Sequence, residues 1–278
     1  MARKPHDWKP DPEQLALWPS ISGNTINGVG ESRVRRPSPI YWHPPETTAH
    51  GPLQKWFYGR PVSEEVKQAR IDRQAALDLQ LAPLAATAEA RTAEAWSDDV
   101  KRFALERGAE LVGITAFRDE WVFENQAVPS WKWVVMFGVA QNYEEMQTAP
   151  LPRSNAEVVK QYGRGIRIAK EVASWLRERG WDASPHGGPL AGPIVLIPPA
   201  IECGFGELGK HGSLINARYG SNFRLACVLT SVPLRADRPQ TFGADEFCRL
   251  CKLCSDECPP DAIVHEKQTV RGVERWYV

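Results

Sequence analysis

The chain has 278 residues, long enough to bury a sizeable core as one large domain or two smaller ones. Lys+Arg 34 against Asp+Glu 34 leaves no net charge, so nothing in the global electrostatics argues for nucleic acid or an anionic membrane as partner. No run approaches the roughly 18 apolar residues of a membrane span, and the N-terminal M-A-R-K-P-H-D-W lacks the apolar core of a signal peptide. Arg35-Arg36 is followed by P-S-P-I-Y-W-H-P-P, not by an apolar stretch, and reads as a surface pair. The expected compartment is the cytoplasm.

Residues 1–61 hold ten of the 23 prolines, with Trp8, Trp18, Trp42 and Trp56 among them. That density forbids long helices and interior strands, and predicts an extended arm whose aromatics press onto the body of the protein. A body domain over 62–240 and a third segment over 241–278 are expected to follow. Ser63 with Glu64-Glu65 opens a helix that runs to about Ala82 and stops at Pro83. A second helix is expected from Leu84, and a clearer one from Ser97, where Val100, Phe103, Ala104 and Leu105 form an apolar stripe ending at Gly108. Strands are expected from Glu110 to Thr115 and from Trp131 to Val139, the latter apolar almost throughout and therefore buried.

A long helix is predicted from Ser154 to Arg179, closed by Gly180. Gly163 and Gly165 interrupt it beside Tyr162; each costs about 1 kcal/mol relative to alanine, so they mark a late start or a close backbone approach. Ile194 to Ile197 is a short apolar run bounded by prolines. In the stretch after it, I-E-C-G-F-G-E-L-G-K-H-G-S-L-I, Gly204, Gly206, Gly209 and Gly212 predict a loop that a large ligand approaches through backbone N–H groups. It is not a phosphate-binding P-loop, since the Lys-Ser/Thr pair is missing. Phe223 to Leu234 reads as another strand.

The run F-C-R-L-C-K-L-C-S-D-E-C-P-P then places Cys248, Cys251, Cys254 and Cys258 in the C-x2-C-x2-C-x3-C-P spacing of bacterial iron–sulfur proteins. Cluster irons take soft thiolate donors, and two-residue gaps let one tight loop bring three sulfurs around a cubane. The alternative is structural zinc, but zinc knots present two separated C-x2-C knuckles, whereas four cysteines here crowd into eleven residues. The remaining cysteines, Cys203 and Cys227, suit a reducing compartment better than a disulfide scaffold.

With these residues in view, the stretch from about residue 97 to 278 resembles the reductive dehalogenases, cobalamin and iron–sulfur enzymes that replace carbon–halogen by carbon–hydrogen. The epoxyqueuosine reductases are more distant relatives. The resemblance rests on G-F-G-E-L-G-K-H-G-S-L-I, then Y-G-S-N-F-R-L-A-C-V-L-T-S-V-P-L, then the cysteine run, in that order. It implies an α+β fold: a nitroreductase-like corrinoid-binding domain with flanking helices, followed by a partial ferredoxin-like segment holding a 4Fe-4S cluster. It further implies a corrinoid bound base-off, in agreement with the missing D-x-H-x-x-G pattern. His186 and His211 would then line a pocket or bond locally, with the Gly204–Gly212 loop and Tyr219 along the corrin.

By the same resemblance Tyr162 donates the proton, and Arg224 and Lys210 are the cations placed to stabilise its phenolate. Gly188 stands where a pocket asparagine is often found, and so offers no side chain. The implied partners are an organohalide, an electron-donor protein and a second cysteine set that this sequence does not contain. The final R-W-Y-V reads as a strand start left open, and the chain as a truncated or split relative. Two other functions stay open, an epoxyqueuosine-type reductase and a non-catalytic iron–sulfur electron carrier.

Overall fold

The computed structural model describes residues 9–40, 44–188 and 192–278, so the expectations placed on Trp8 and Trp42 lie outside it. Among its described residues the proline-rich start contains only short helices, α1 (Pro12–Ala16), α2 (Gly23–Asn27), a 3-10 turn (Pro45–Thr47) and α3 (Gly51–Gly59). Its described tryptophans do not anchor it, whereas the Arg70 guanidinium of the following helix lies over the Tyr58 ring, 5.9 Å from its centroid. Trp18 and Phe57 are more than half exposed, and the Trp56 indole N–H donates to Glu13 within the same segment. The segment is attached by polar contacts: Arg36 donates to the carbonyls of Glu124 and Gln126, and the Gly30 N–H donates to Thr269 O at 2.8 Å. Proline breaks main-chain ladders, but it leaves such isolated bonds and side-chain reach intact.

Helix α4 (Glu64–Asp78) begins as expected, with Ser63 Oγ accepting from the Val66 N–H, and stops four residues before Ala82. The helix expected from Leu84 is absent. Residues 84–92 run beside the end of a later helix, the Ala85 and Glu89 N–H groups donating to Arg177 O and Arg179 O. Helix α5 (Ala93–Glu106) starts earlier than Ser97 because Thr92 is its cap, Oγ1 accepting from the Ala95 N–H at 3.2 Å.

The sheet is built from β1 (Leu111–Ala116), β2 (Trp133–Ala140), β3 (Ala183–Gly187) and β6 (Phe223–Thr230), in the order β1-β2-β6-β3 with every pair antiparallel. Between β2 and β3 lie α6 (Tyr143–Met146) and α7 (Pro152–Arg177), and α8 (Ile197–Glu202), β4 (Glu207–Leu208) and β5 (Leu214–Ile215) precede β6. β6 ends before Leu234, since Pro233 cannot donate to a ladder. The chain closes with α9 (Ala244–Leu250), α10 (Leu253–Asp256) and the hairpin β7 (Gln268–Val270) and β8 (Val273–Arg275).

β2 is apolar throughout because both its faces are covered. Val135, Phe137 and Val139 pack with Ala226 and Val228 against α4, α5 and α7. Val134 and Met136 pack with Cys227 and Leu229 against Trp121, Ile194, Ala200, Phe205 and Leu214 on the opposite face. Alternate residues of β2 and β6 thus serve two cores. Helix α7 is continuous through Gly163 and Gly165, and close approach accounts for both glycines. A Cβ at Gly165 would lie 3.2 Å from the Ala226 side chain, and one at Gly163 would lie 3.1 Å from Arg73 Cα. The R-W-Y-V ending is not an open strand. β8 stops at Arg275, Trp276 and Tyr277 are 3% and 8% exposed, and the Tyr277 hydroxyl donates to Asn24 Oδ1 at 2.9 Å.

Replacing Gly165 by leucine is expected to force α7 off β6 and lower stability by about 1–3 kcal/mol in denaturant titrations. Wild-type stability in that variant would show that the approach is not tight.

Candidate functional site

Tyr162 lies on α7, one turn before the contact of Gly165 with Ala226, and Arg224 lies two residues before Ala226 on β6. The helix–sheet contact therefore carries the two side chains to each other: the Arg224 guanidinium lies over the Tyr162 ring, 5.4 Å from its centroid. Gly188, just past β3, completes this corner, since a Cβ there would meet Tyr162 Cβ at 4.0 Å. The Arg224 Nε is buried without a hydrogen-bond partner among the described residues. A buried donor left unpaired costs about 1–3 kcal/mol, so this guanidinium is set to accept company from an oxygen acceptor.

The α7 segment around Tyr162 is held by polar contacts. Gln161 Nε2 donates to the buried Glu157 carboxylate at 2.8 Å, and the Asn142 N–H donates to the same oxygen at 2.7 Å. Arg164 donates to Gln161 Oε1, and pairs with Glu110 before β1. These bonds fix both the rotation of the helix and its slide along the sheet.

His186 is not beside Tyr162. It faces Cys227 across the β3–β6 ladder, and Cys227 packs in the second core, so the sheet lies between His186 and the tyrosine. His186 Nε2 is 2.9 Å from Ser184 Oγ, and burial lowers its pKa from 6.5 to about 4. It is a neutral ring at neutral pH.

The glycine-rich loop lies on the His186 side, with Cys203 and Phe205 in the same core. Its glycines are required by the chain itself. A Cβ at Gly204 would crowd Arg238 O, one at Gly206 would collide with Ile215 O, one at Gly209 would crowd Ile215 and His211, and one at Gly212 would lie 3.0 Å from the Val278 side chain. His211 is used locally, Nδ1 accepting from the Ser213 N–H at 3.0 Å and Nε2 lying 2.9 Å from Ser221 Oγ. Tyr219 packs on the second core, with Arg218 over its ring at 5.2 Å.

The same loop holds the cysteine run. Glu207 Oε2 accepts the Phe242 and Ala244 N–H groups at 2.8 and 3.0 Å, capping α9 with negative charge. Cys248 is on α9, Cys251 is its C-cap, Cys254 is on α10, and Cys258 follows. Burial raises the Cys254 thiol pKa, and Cys248 and Cys251 raise it further, while Lys210 opposes them. Lys210, next to Glu207 and Leu208 in the loop, is 2% exposed. Its Nζ has no hydrogen-bond partner among the described residues and sits 4.8 Å from the centre of the Trp276 ring. Trp276 Nε1 in turn donates to Asp245 Oδ1 at 2.8 Å, and Lys267 pairs with Asp245 at 2.7 Å.

The donors suit an iron–sulfur cluster in kind: four thiols in the C-x2-C-x2-C-x3-C-P spacing match an anionic, thiolate-ligated group. Among the described residues no three such ligands stand together closely enough to hold a metal ion. Cys203 and Cys227 are poor substitutes as ligands, because burial raises both thiols far above the usual range and disfavours the thiolate. A separate cleft of about 480 Å³, lined by Leu79, Phe103, Lys170 and Trp175 among others, contains none of the expected site residues. Sequence reasoning missed Glu207, Asp245 and Trp276. Of these only Asp245 carried a local signal, an acidic residue in a helix's first turn.

In fold, the chain matches reductive dehalogenases. It superposes on a catabolic reductive dehalogenase solved with 3-bromo-4-hydroxybenzoic acid, TM-score 0.70 and 24% identity, over 77% of this chain and 33% of that one. A second superposition, on a structure described for B12-dependent dehalogenation, gives TM-score 0.67 over 74% of this chain and 32% of that one. In sequence, the relatives are more particular. Tetrachloroethene reductive dehalogenase of Desulfitobacterium hafniense is 39% identical over 160 residues, 58% of this chain and 28% of its own length. The enzyme of the same name from Sulfurospirillum multivorans is 34% identical over 139 residues, 50% of this chain and 27% of its own. The epoxyqueuosine reductase of Synechococcus sp. (strain CC9605) is a more distant relative, 36% identical over 94 residues, 34% of this chain and 28% of its own. This chain therefore spans under a third of the length of the dehalogenases it resembles. No protein-family model matches it. Among the described residues no helix is long and apolar enough to cross a membrane.

Because the His186 pKa is depressed in the folded chain, the unfolded chain binds the extra proton first as pH falls. Stability is expected to decline between pH 6.5 and about 4, by about 2–3 kcal/mol. His186→Gln should flatten that part of the stability–pH curve; an unchanged slope would refute the burial of a neutral ring.

Proposed function

We propose that the chain is a reductive dehalogenase-type oxidoreductase, taking an organohalide to the corresponding hydrocarbon with two electrons and one proton and releasing halide. In this reading the four-stranded sheet with α4, α5 and α7 is the nitroreductase-like corrinoid domain, 62–240, and 241–278 is part of a ferredoxin-like unit. The described residues of the arm, 1–61, contact both, Arg36 reaching the carbonyls of Glu124 and Gln126 and Gly30 bonding Thr269. The observation that carries the proposal is the phenol–guanidinium pair of Tyr162 and Arg224 in a chain that also holds the C-x2-C-x2-C-x3-C-P run. When bound, the 4Fe-4S cluster supplies electrons one at a time and the base-off corrinoid supplies a cobalt centre reducing enough to break a carbon–halogen bond.

The chain's own residues do the rest. Cys248, Cys251, Cys254 and Cys258 hold iron. Tyr162 delivers the proton from its hydroxyl to carbon. A free phenol has a pKa of about 10, so the phenolate left behind needs a permanent cation, and Arg224, whose guanidinium stays charged at any working pH, stands over the ring to meet it. His186 stays neutral and adds no competing charge on the far side of the sheet. The corner of Tyr162, Gly188 and Arg224 is the surface offered to the corrinoid and substrate; His186 and the Gly204, Gly206, Gly209, Gly212 and Tyr219 loop lie across the sheet from it.

Partners follow from the same reading: an electron-donor protein, and a segment or chain that brings a second cysteine set. Phe247, Leu250 and Leu253 are each about two-thirds exposed around the cysteines. An apolar patch of that kind beside a cluster loop supports a covering partner. The epoxyqueuosine-type reaction is the other reading.

Anaerobic reconstitution should give iron and sulfide bound to the chain, lost in Cys251→Ala; stoichiometric zinc without sulfide would overturn the cluster. With cobalamin, a strong reductant and a chlorinated alkene, chloride release should fall by at least about 100-fold in Tyr162→Phe while cobalt reduction is unchanged. Undiminished chloride release in that variant would remove Tyr162 from the chemistry. Reduction of an epoxide but of no organohalide would favour the other reading.

A further inference from the structure

Lys210 is the most deeply buried cation of the cysteine-run region, and an ammonium taken out of water without a partner costs several kcal/mol. The Trp276 ring face, 4.8 Å from Nζ, compensates only in part, because a cation–π contact is worth about 2 kcal/mol when desolvated. The neighbouring acids are committed elsewhere. Glu207 caps α9 through the Phe242 and Ala244 N–H groups, and Asp245 is shared between Trp276 Nε1 and Lys267. The Trp276 ring that faces the ammonium is held by Asp245 of α9, three residues before Cys248, and Glu207 of the same loop caps that helix, so the ammonium is lodged against the helix that opens the cysteine run.

We propose that Lys210 is the internal counter-ion of the iron–sulfur cluster held by the cysteine run, and that its fixed charge raises the potential at which that cluster takes up an electron. The argument is electrostatic. A cubane on thiolates is anionic and becomes more so on accepting an electron, so a buried positive charge nearby favours the reduced form. Burial keeps the effect from being screened by salt, which sets Lys210 apart from the exposed Lys252 within the run itself. The loop that carries Lys210 is fastened to α9 by Glu207 and closed over by Trp276, so the ammonium cannot swing to solvent as the charge changes. Lys210 is thereby a positioning residue for electron delivery and has no contact with the reacting carbon. The cation over the Tyr162 ring is Arg224.

The inference rests on the iron–sulfur reading of the cysteines, and two measurements keep the two apart. In the reconstituted chain, a potentiometric titration followed by electron paramagnetic resonance should show Lys210→Met harder to reduce. The expected change is about tenfold in the reduced-to-oxidised ratio at fixed potential, which is 59 mV for one electron. Lys210→Arg and Lys252→Met should stay close to wild type, and the Lys210→Met shift should persist at high salt. In the cluster-free chain, Lys210→Met should be as stable as wild type or more stable, since it removes an unpaired buried charge and keeps the aliphatic stem. An unmoved midpoint with full cluster content overturns the counter-ion role. So does marked destabilisation or loss of folding of cluster-free Lys210→Met, which would reveal a partner already present. Absence of any cluster in the wild-type chain would instead sink the cluster reading itself.

Discussion

The close approach of α7 to β6 and β3 is the contact on which the rest of the arrangement depends. Gly165 faces Ala226, and Gly187 on β3 faces the Ile166 backbone, where a Cβ would lie 3.1 Å from Ala226 Cβ. With no side chains between them, the helix lies directly on the sheet, and dense packing on both sides leaves it no room to shift. The ladder from the buried Glu157 and Gln161 through Arg164 to the partly buried Glu110 then selects one rotation and one axial position. Tyr162 and Arg224 meet because of that selection. Neither residue has to be steered by a loop.

The cysteine segment is built on a different principle. It contributes little to the two cores, and Phe247, Leu250 and Leu253 face outward. Its attachment is polar and electrostatic: the Glu207 cap on α9, the Trp276–Asp245–Lys267 group, and main-chain bonds between the arm and the β7–β8 hairpin. Such contacts fix orientation more than they add stability, which suits the proposed reading, in which a bound cluster and a covering partner would supplement the segment's free energy of folding. The sheet domain positions groups by packing, whereas the cysteine segment is positioned by charge.

Much of this was legible in the residues, for physical reasons. The apolar run of β2 announced a buried strand, and the Gly163 and Gly165 pair left a late helix start or a close approach open, of which the structure shows the approach. Arg224 and Tyr162 were named as a pair through the family resemblance, and the fold places them together. What could not be read was anything that depends on register. The side of the sheet on which His186 lies is set by which β6 residue it pairs with, and a shift of one residue would reverse it. The glycines of the 204–212 loop signalled close approach, but the approaching group is the chain's own Ile215, Arg238 and Val278. The buried Trp276 and Tyr277 looked like an open strand end because their partners, Asp245 and Asn24, are distant in sequence.

The central claim is that this fold presents a corrinoid surface in which no protein nitrogen sits beneath the metal. It is tested most directly by adding cob(II)alamin to the anaerobic chain and recording its electron paramagnetic resonance spectrum. The account predicts saturable binding with the base-off signal and no nitrogen splitting, unchanged in His186→Gln and His211→Gln. Failure to bind cobalamin, or a nitrogen-ligated signal abolished by either histidine substitution, would contradict it.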